Sequence, residues 1–298
     1  MSKSDKFDAI YKFISDNGII YKEGLTSKNI DSIYDYIVNN IYSTDISDRV
    51  YYRFCGLKCL TDKNYDDMKK NFKIAIKKND SNSMYCLGLY YEKIEHNEKK
   101  MLKYYLMAIN IKNANAMNSL GAYYYTKKDF TNMIKYYNMA IEHGDVKALV
   151  NMGTYYYKIK KYDEVLHYYK IAAERGEACA MHNMGVYYQY VDINYDKMIE
   201  CYNEAFNNGY MNSMLSLGKY YDKQKNYDDM VLCYNKIITN GEKLINSCDE
   251  YKAKPVKNIW LTAIHYLIKY YESIENYEKK NEFYTIGIKH GYNEEFVA

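Results

Sequence analysis

Apolar positions in this chain gather on one face of a helix, lapse, and return about every 32 residues. Residues 116–144, AMNSLGAYYYTKKDFTNMIKYYNMAIEHG, show one full cycle. Met117, Leu120, Gly121 and Tyr124 stand at i, i+3, i+4 and i+7, the stripe of an amphipathic helix. After a polar break, Met133, Tyr137, Ala140 and Ile141 trace a second stripe. The first stripe recurs as Met84, Leu87, Gly88, Tyr91, then as Leu149, Met152, Gly153, Tyr156. It continues as Met181, Met184, Gly185, Tyr188 and as Met214, Leu217, Gly218, Tyr221. Each cycle predicts two helices, and a period of this size predicts a stack of two-helix units.

Six glycines mark the cycle: Gly56, Gly88, Gly121, Gly153, Gly185 and Gly218, 32 or 33 residues apart. Glycine inside a helix costs about 1 kcal/mol relative to alanine, so its repetition has a steric reason: the two helices of a unit approach closely there. The second helix opens on a capping residue, Asn64, Asn97, Asp129, Asn194, Asn226 or Asn276, with Lys161 the exception. Acidic residues follow in the first turn (Asp66, Asp67, Asp163, Glu164, Asp196, Asp228, Asp229), where the helix dipole favours them. Gly144, Gly176, Gly209, Gly241 and Gly291 are expected to end the second helices in the left-handed conformation, with the next helix about four residues on.

The phrases linking two units, AAERGEACAMHNMGVYY (172–188) and AIEHGDVKALVNMGTYY (140–156), resemble the SEL-one-like repeats of the tetratricopeptide repeat superfamily. Ala108, Ala140, Ala172 and Ala205 fill the second-helix position where that family places alanine. The hairpin loops are shorter than the subfamily's, and Met101, Met133, Met198 and Met230 replace its usual Ala or Trp. The resemblance implies an all-α, right-handed superhelical solenoid of about seven helical hairpins. Six repeats are expected over 47–241, and an insertion or helix extension over 242–257, with Pro255 opening the next helix. A divergent seventh repeat and tail follow over 258–298. Residues 1–46 do not repeat; two short helices near 5–16 and 27–42 would cap the first repeat.

Composition sharpens this picture without changing it. There are 41 Tyr against 8 Phe and one Trp. Tyrosine buries nearly as much as phenylalanine but keeps a hydroxyl that needs a partner, which suits a thin stack whose core lies near solvent. AT-rich coding, which favours Lys, Asn, Ile and Tyr together, is the second contributor. The formal charge of +3 gives no global field for nucleic acid or membrane. No apolar run approaches the ~18 residues of a membrane span, and the start MSKSDKFDAIYKF lacks the apolar core of a signal peptide. Seven cysteines without metal-ligand spacing point to a reduced, cytoplasmic protein. Cys201 and Cys233, equivalent in adjacent repeats, would stand about one helix spacing apart, too far for a disulfide.

Catalytic and metal chemistry find little support. Asp62-Lys-Asn64-Tyr-Asp66 and Asp192-Ile-Asn194-Tyr-Asp196 begin like calcium loops. Asp67 and Lys73, then Lys197 and Asn203, occupy the positions that need Gly and Glu, so helix capping explains both. The six histidines are scattered, and no phosphate loop or nucleophile elbow is present. No enzyme, metal or cofactor is expected. Lys69, Lys73 and Lys77, with Lys99, Lys100 and Lys103 in the next repeat, form a basic stripe that a solvated face explains better than a nucleic acid does.

In the family, the first-helix flank three before, one after and four after the glycine lines the concave groove. Carried over, it reads Tyr85, Leu89, Glu92; Asn118, Ala122, Tyr125; Val150, Thr154, Tyr157; His182, Val186, Gln189; and Leu215, Lys219, Asp222. Tyr85, Asn118, Tyr125, Thr154, Tyr157, His182, Gln189 and Lys219 are the candidate partner-binding residues, suited to an extended peptide or a helix. The blander account of them is exposed, variable positions. Only Asn118 and Lys219 resemble the Lys, Arg and Asn set that grips C-terminal carboxylates in this superfamily, so that use is disfavoured. The expected function is a non-enzymatic protein–protein scaffold or adaptor, monomeric. The alternatives are a regulatory or adaptor subunit of an enzyme complex, of ubiquitin-ligase type for instance, a nucleic-acid-binding solenoid, or a self-assembling one.

Overall fold

The computed structural model describes residues 48–247 and 250–293; the cap expected over 1–46 lies outside them. Regular structure among the described residues is entirely α-helical. The chain divides into two compact units, one ending at Ala148 and the other beginning at Leu149. In the first, α1 (Asp48–Thr61) pairs with α2 (Tyr65–Lys77), α3 (Ser81–Lys93) with α4 (Glu98–Asn110), and α5 (Ala114–Thr126) with α6 (Phe130–Glu142). In the second, α7 (Val146–Lys158) pairs with α8 (Tyr162–Glu174) and α9 (Ala178–Tyr190) with α10 (Tyr195–Asn207). There, too, α11 (Asn212–Lys223) pairs with α12 (Tyr227–Ser247), and α13 (Glu250–Ser273) with α14 (Tyr277–Lys289). Within each unit, neighbouring hairpins stack: α2 on α3 and α4 on α5, then α8 on α9 and α10 on α11.

The helix glycines have the steric role read from their spacing, and their partner is an aromatic face. A Cβ added at Gly56, Gly121, Gly153, Gly185 or Gly218 would stand 2.5–2.7 Å from a ring carbon of Phe72, Tyr137, Tyr169, Tyr202 or Tyr234. Gly88 meets Tyr105 in the same way. In these six hairpins the second helix thus lays one buried ring flat against the bare backbone of the first. The stripe residues Leu87, Leu120 and Met152 and the methionines Met133 and Met198 beside these contacts are fully buried.

A second aromatic layer joins the helices at the residue three after Gly88, Gly121 and Gly153. Tyr91 stacks on Tyr104 (5.4 Å, 10°), Tyr124 on Tyr136 (5.5 Å, 2°) and Tyr156 on Tyr168 (5.4 Å, 12°). Such pairs contribute about 0.5–1.5 kcal/mol beyond their burial. In the next two hairpins, Cys201 and Cys233 occupy the second-ring position, buried and free. Burial pushes their thiols up to about 11 and about 12, so both remain protonated at neutral pH. Hairpin-to-hairpin joints are also aromatic: Tyr65 meets Tyr90 at 5.3 Å, Tyr162 meets Tyr187 at 6.1 Å and Tyr195 meets Tyr220 at 5.3 Å.

The expected caps form. Asn64, Asn97, Asp129, Asn194, Asn226 and Asn276 each accept a hydrogen bond from the amide three residues on, at 3.0–3.4 Å, and Lys161 makes no such bond. First helices are capped too, by Asp80, Asn113 and Asp145 (2.8–3.0 Å). The residue before the cap is left-handed in most hairpins, Ile193 before Asn194 being an exception, and it need not be glycine: Lys63, Lys128, Lys160 and Lys225 all have φ between 58° and 60°. Gly144, Gly176, Gly209 and Gly291 end helices in that conformation, as expected. The following helix starts two or three residues later rather than four, because the next residue or two already form the start of that helix.

Two expectations near residue 250 are corrected. Gly241 does not stop a helix; α12 runs through it to Ser247, and the ring of Trp260 occupies the space where a Gly241 Cβ would stand, 2.5 Å from the ring. The Trp260 indole N–H donates to the Ile238 carbonyl at 3.0 Å, anchoring that ring. Pro255 does not open a helix either; α13 begins at Glu250 and carries the proline inside it, forgoing one backbone bond.

Asp80 holds the first two hairpins together. It is 3% exposed, and its Oδ1 accepts from Arg53 Nη1 at 3.1 Å, with Arg49 Nε 4.0 Å away. Its Oδ2 accepts from the Ser83 amide and hydroxyl at 2.8 and 2.7 Å.

Among the ring partners of the glycines, Tyr234 differs: its hydroxyl is buried and has no hydrogen-bond partner among the described residues. A buried unsatisfied hydroxyl costs about 1–3 kcal/mol, so Tyr234→Phe is expected to raise stability by about 1 kcal/mol. Tyr202→Phe is expected to lower it by about the same amount, because Tyr202 donates to Gln189 Oε1 at 2.9 Å. Urea melts of the two variants should therefore move in opposite directions.

Candidate functional site

The candidate flank runs beside the glycine–ring contacts, and the core reaches it through its hydroxyls. In the first unit, Tyr105 donates from its buried ring to Glu92, four after Gly88. Tyr85 stacks on Tyr105 at 6.0 Å and accepts from Ser119 at 3.5 Å across the hairpin joint. Asn118 and Tyr125 are half-buried, the latter with its ring 6.3 Å from Phe130. In the second unit, Thr154 shares a 3.1 Å hydrogen bond with the Tyr169 hydroxyl, and Tyr157 meets the Tyr162 ring edge-on at 6.3 Å. Flank positions one and four after the glycine therefore serve partly to satisfy the tyrosine core. Nothing in the amphipathic pattern signals this; the surplus of Tyr over Phe was the available hint.

His182 is half-buried, with its ring packed between two tyrosines. Its ring lies 5.2 Å from Tyr202 and 4.9 Å from Tyr210, and its Nδ1 is 3.3 Å from Ser213 Oγ. Burial lowers its pKa from 6.5 to about 4. The folded state thus prefers neutral imidazole, so its contribution is fully present above pH 6.5 and is lost as pH falls toward 4. From pH 7 to 5 the wild type is expected to lose about 2 kcal/mol that a His182→Phe variant keeps. Parallel urea melts of both proteins at the two pH values check this; equal losses would refute the burial of neutral imidazole.

Gln189 and Lys219 come together in a cleft of about 440 Å³ within the second unit. Helix α9 contributes Val186, Gln189 and Tyr190, α10 contributes Tyr195 and Tyr202, and α11 contributes Ser216, Lys219, Tyr220 and Lys223, with Gln224 just beyond it. Lys219 lies over the Tyr266 ring at 5.5 Å. Of these residues, sequence reasoning had singled out only Val186, Gln189 and Lys219 for the flank. Tyr190 and Lys223, each five after its glycine, extend the same side and were within reach of that register.

Half of the basic stripe is engaged locally. Lys69 reaches Asp66 at 3.3 Å and Glu95 at 3.5 Å, over the Tyr90 ring, and Lys100 reaches Glu95 at 3.5 Å, over Tyr91. Lys103 lies over Tyr104. Asn64 and Asn194, in the segments that begin like calcium loops, cap α2 and α10. Among the described residues, no cluster of three His, Cys, Asp or Glu side chains is arranged to hold a metal ion. No described helix is long and apolar enough to cross a membrane.

No protein family model matches the chain, and no curated protein matches it. Solved structures do. The chain is similar to c5321, a protective antigen present in uropathogenic Escherichia coli strains and displaying an SLR fold, at 15% identity over 98% of this chain and 70% of that one, TM-score 0.51. It is similar to a chain of the APC/C hetero-tetramer Cut9–Hcn1 at 14% identity over 85% of this chain and 54% of that one, TM-score 0.50. A Sel1 repeat protein from Oxalobacter formigenes aligns at 20% identity over 73% of this chain and 89% of that one, TM-score 0.48. The fold is a helical-hairpin repeat of the SEL-one-like and tetratricopeptide kind.

Proposed function

We propose that this chain is a non-enzymatic scaffold or adaptor that binds peptide or helical segments of partner proteins. Each unit presents its own stretch of the first-helix flank for binding: Tyr85, Asn118 and Tyr125 in one, and Thr154, Tyr157, His182, Gln189 and Lys219 in the other. One observation carries the reading. Flank side chains such as Thr154 and Gln189 are held in place by hydroxyls from the core while remaining half-exposed. That is a pre-ordered surface, and a partner docking on it loses little further side-chain entropy. The helical-repeat fold supports protein binding in general, and cysteines without metal-ligand spacing fit a cytoplasmic setting. Local pairing of Lys69 and Lys100 with Glu95 weakens the nucleic-acid reading, since a phosphate backbone would have to displace those contacts.

The test is a crosslinking pull-down from the host cell, read by mass spectrometry. Wild type runs beside a variant with Asn118, Tyr125, Tyr157, His182 and Gln189 changed to Ala, and beside the milder Asn118→Ala/Tyr125→Ala pair. Partners lost with the variants, while their helical content is kept, are flank-bound. An unchanged partner list retires the flank. The likeness to Cut9, which belongs to an APC/C hetero-tetramer, keeps a second reading in view, that of an adaptor subunit within an enzyme complex. A catalytic chain among the captured proteins would favour it.

A further inference from the structure

The cleft walled by α9, α10 and α11 is lined by two lysines, hydroxyls and amides, with no carboxylate among its lining residues. Lys219 and Lys223 stand four residues apart on one face of α11, so their stems are neighbours about 6 Å apart. Neither has a carboxylate partner among the described residues, whereas Lys69, Lys70, Lys93, Lys100, Lys127, Lys269 and Lys280 all do. Gln189 accepts from Tyr202 through its amide oxygen, which leaves its two N–H groups to donate into the cleft. The remaining wall is aromatic: Tyr190 and Tyr195 are 66% and 45% exposed, and the Tyr195 ring lies 5.3 Å from Tyr220. Exposed tyrosines thus stand beside two ammonium groups that no carboxylate among the described residues neutralises, one of them over the Tyr266 ring.

We propose that this cleft binds an acidic peptide segment in which a carboxylate adjoins an aromatic side chain. The inference rests on the protein-binding reading above and gives its partner a chemistry. The carboxylate accepts from Lys219, Lys223 and the Gln189 amide, and the aromatic ring lies against Tyr190 and Tyr195. A nucleic-acid strand fits less well. It needs a row of cations, and here two lysines stand beside Asp222 on the same helix and Asp196, whose charge bears on Tyr220.

The experiment is fluorescence anisotropy on the full chain with four labelled probes. The first is a short peptide alternating Glu and Phe among Ser and Gly spacers. In the second, Lys replaces each Glu; in the third, Gly replaces each Phe; the fourth is a short oligothymidylate. The Glu/Phe peptide is expected to bind saturably, with the Lys-for-Glu and Gly-for-Phe peptides weaker. Lys219→Glu/Lys223→Glu is expected to weaken it by about tenfold or more. Both lysines are exposed, so this variant should melt like the wild type, and Tyr190→Ala gives a second, uncharged check. The proposal is overturned if the Glu/Phe peptide fails to bind or the charge-reversed protein binds it equally. It is equally overturned if the Lys-for-Glu or Gly-for-Phe peptide binds as well, or oligothymidylate binds better. Partners captured through Asn118 and Tyr125 but retained by Lys219→Glu/Lys223→Glu would remove this inference and leave the wider function standing.

Discussion

Gly121→Leu is expected to destabilise the protein by more than about 3 kcal/mol, and Gly121→Ala by up to about 2 kcal/mol net. The alanine result is the more informative, because local propensity predicts the opposite sign. Alanine in a helix gains about 1 kcal/mol over glycine. Its Cβ, however, would stand 2.6 Å from the Tyr137 ring, and that ring is 4% exposed, with little room to retreat. Overpacking of this kind costs about 1–3 kcal/mol, and leucine adds three carbons that the site cannot admit. Urea melts of the two variants, with Tyr137→Ala and the Gly121→Ala/Tyr137→Ala double variant, close a thermodynamic cycle. The double variant should be markedly more stable than the sum of the singles implies. A Gly121→Ala protein that is stabilised by the full helix-propensity gain would show that ring contact is not what keeps glycine there.

Asp80→Ala is expected to cost about 3–5 kcal/mol, the penalty for leaving a buried ion without its counterion. Arg53 is 7% exposed, and removing the Asp80 carboxylate strands its guanidinium against Phe54, 5.4 Å away. Loss of the α3 cap adds about 1 kcal/mol. Asp80→Asn keeps the cap acceptor and the volume but drops the charge, so it should fall between alanine and wild type. Asp80→Ser with Arg53→Met restores a cap and removes the orphaned cation, and should recover most of the loss. A loss below about 1 kcal/mol for Asp80→Ala would mean that water reaches Arg53 once the carboxylate is gone.

Much of this architecture was legible from period and stripe. The Leu120–Gly121–Tyr124 phrase located first helices, and Asn97 or Asp129 located the second, because a helical stripe and an N-cap are local consequences of residue type. The two errors near residue 250 were failures of context. Gly241 carries the same letter as Gly209 but faces Trp260, nineteen residues away in sequence, and a distant ring decided its conformation. Pro255 was read as a helix start from its own preference, yet the helix begins five residues earlier. The flank was placed by register. Its chemistry was hidden, because the hydroxyl of Tyr202 or Tyr169 must cross the hairpin before it defines what Gln189 or Thr154 can still do.

Trp260 is the chain's one tryptophan, and it is fully buried against Gly241, with its indole tied to Ile238. Its emission is therefore a local thermometer for the last two hairpins, while far-ultraviolet dichroism averages over every helix. Stacks of repeats can lose their ends before their middle, since each hairpin leans only on its neighbours. A fluorescence midpoint that leads the dichroism midpoint in urea would mark that fraying. Coincident midpoints would mean that the aromatic joints bind the repeats into one melting unit.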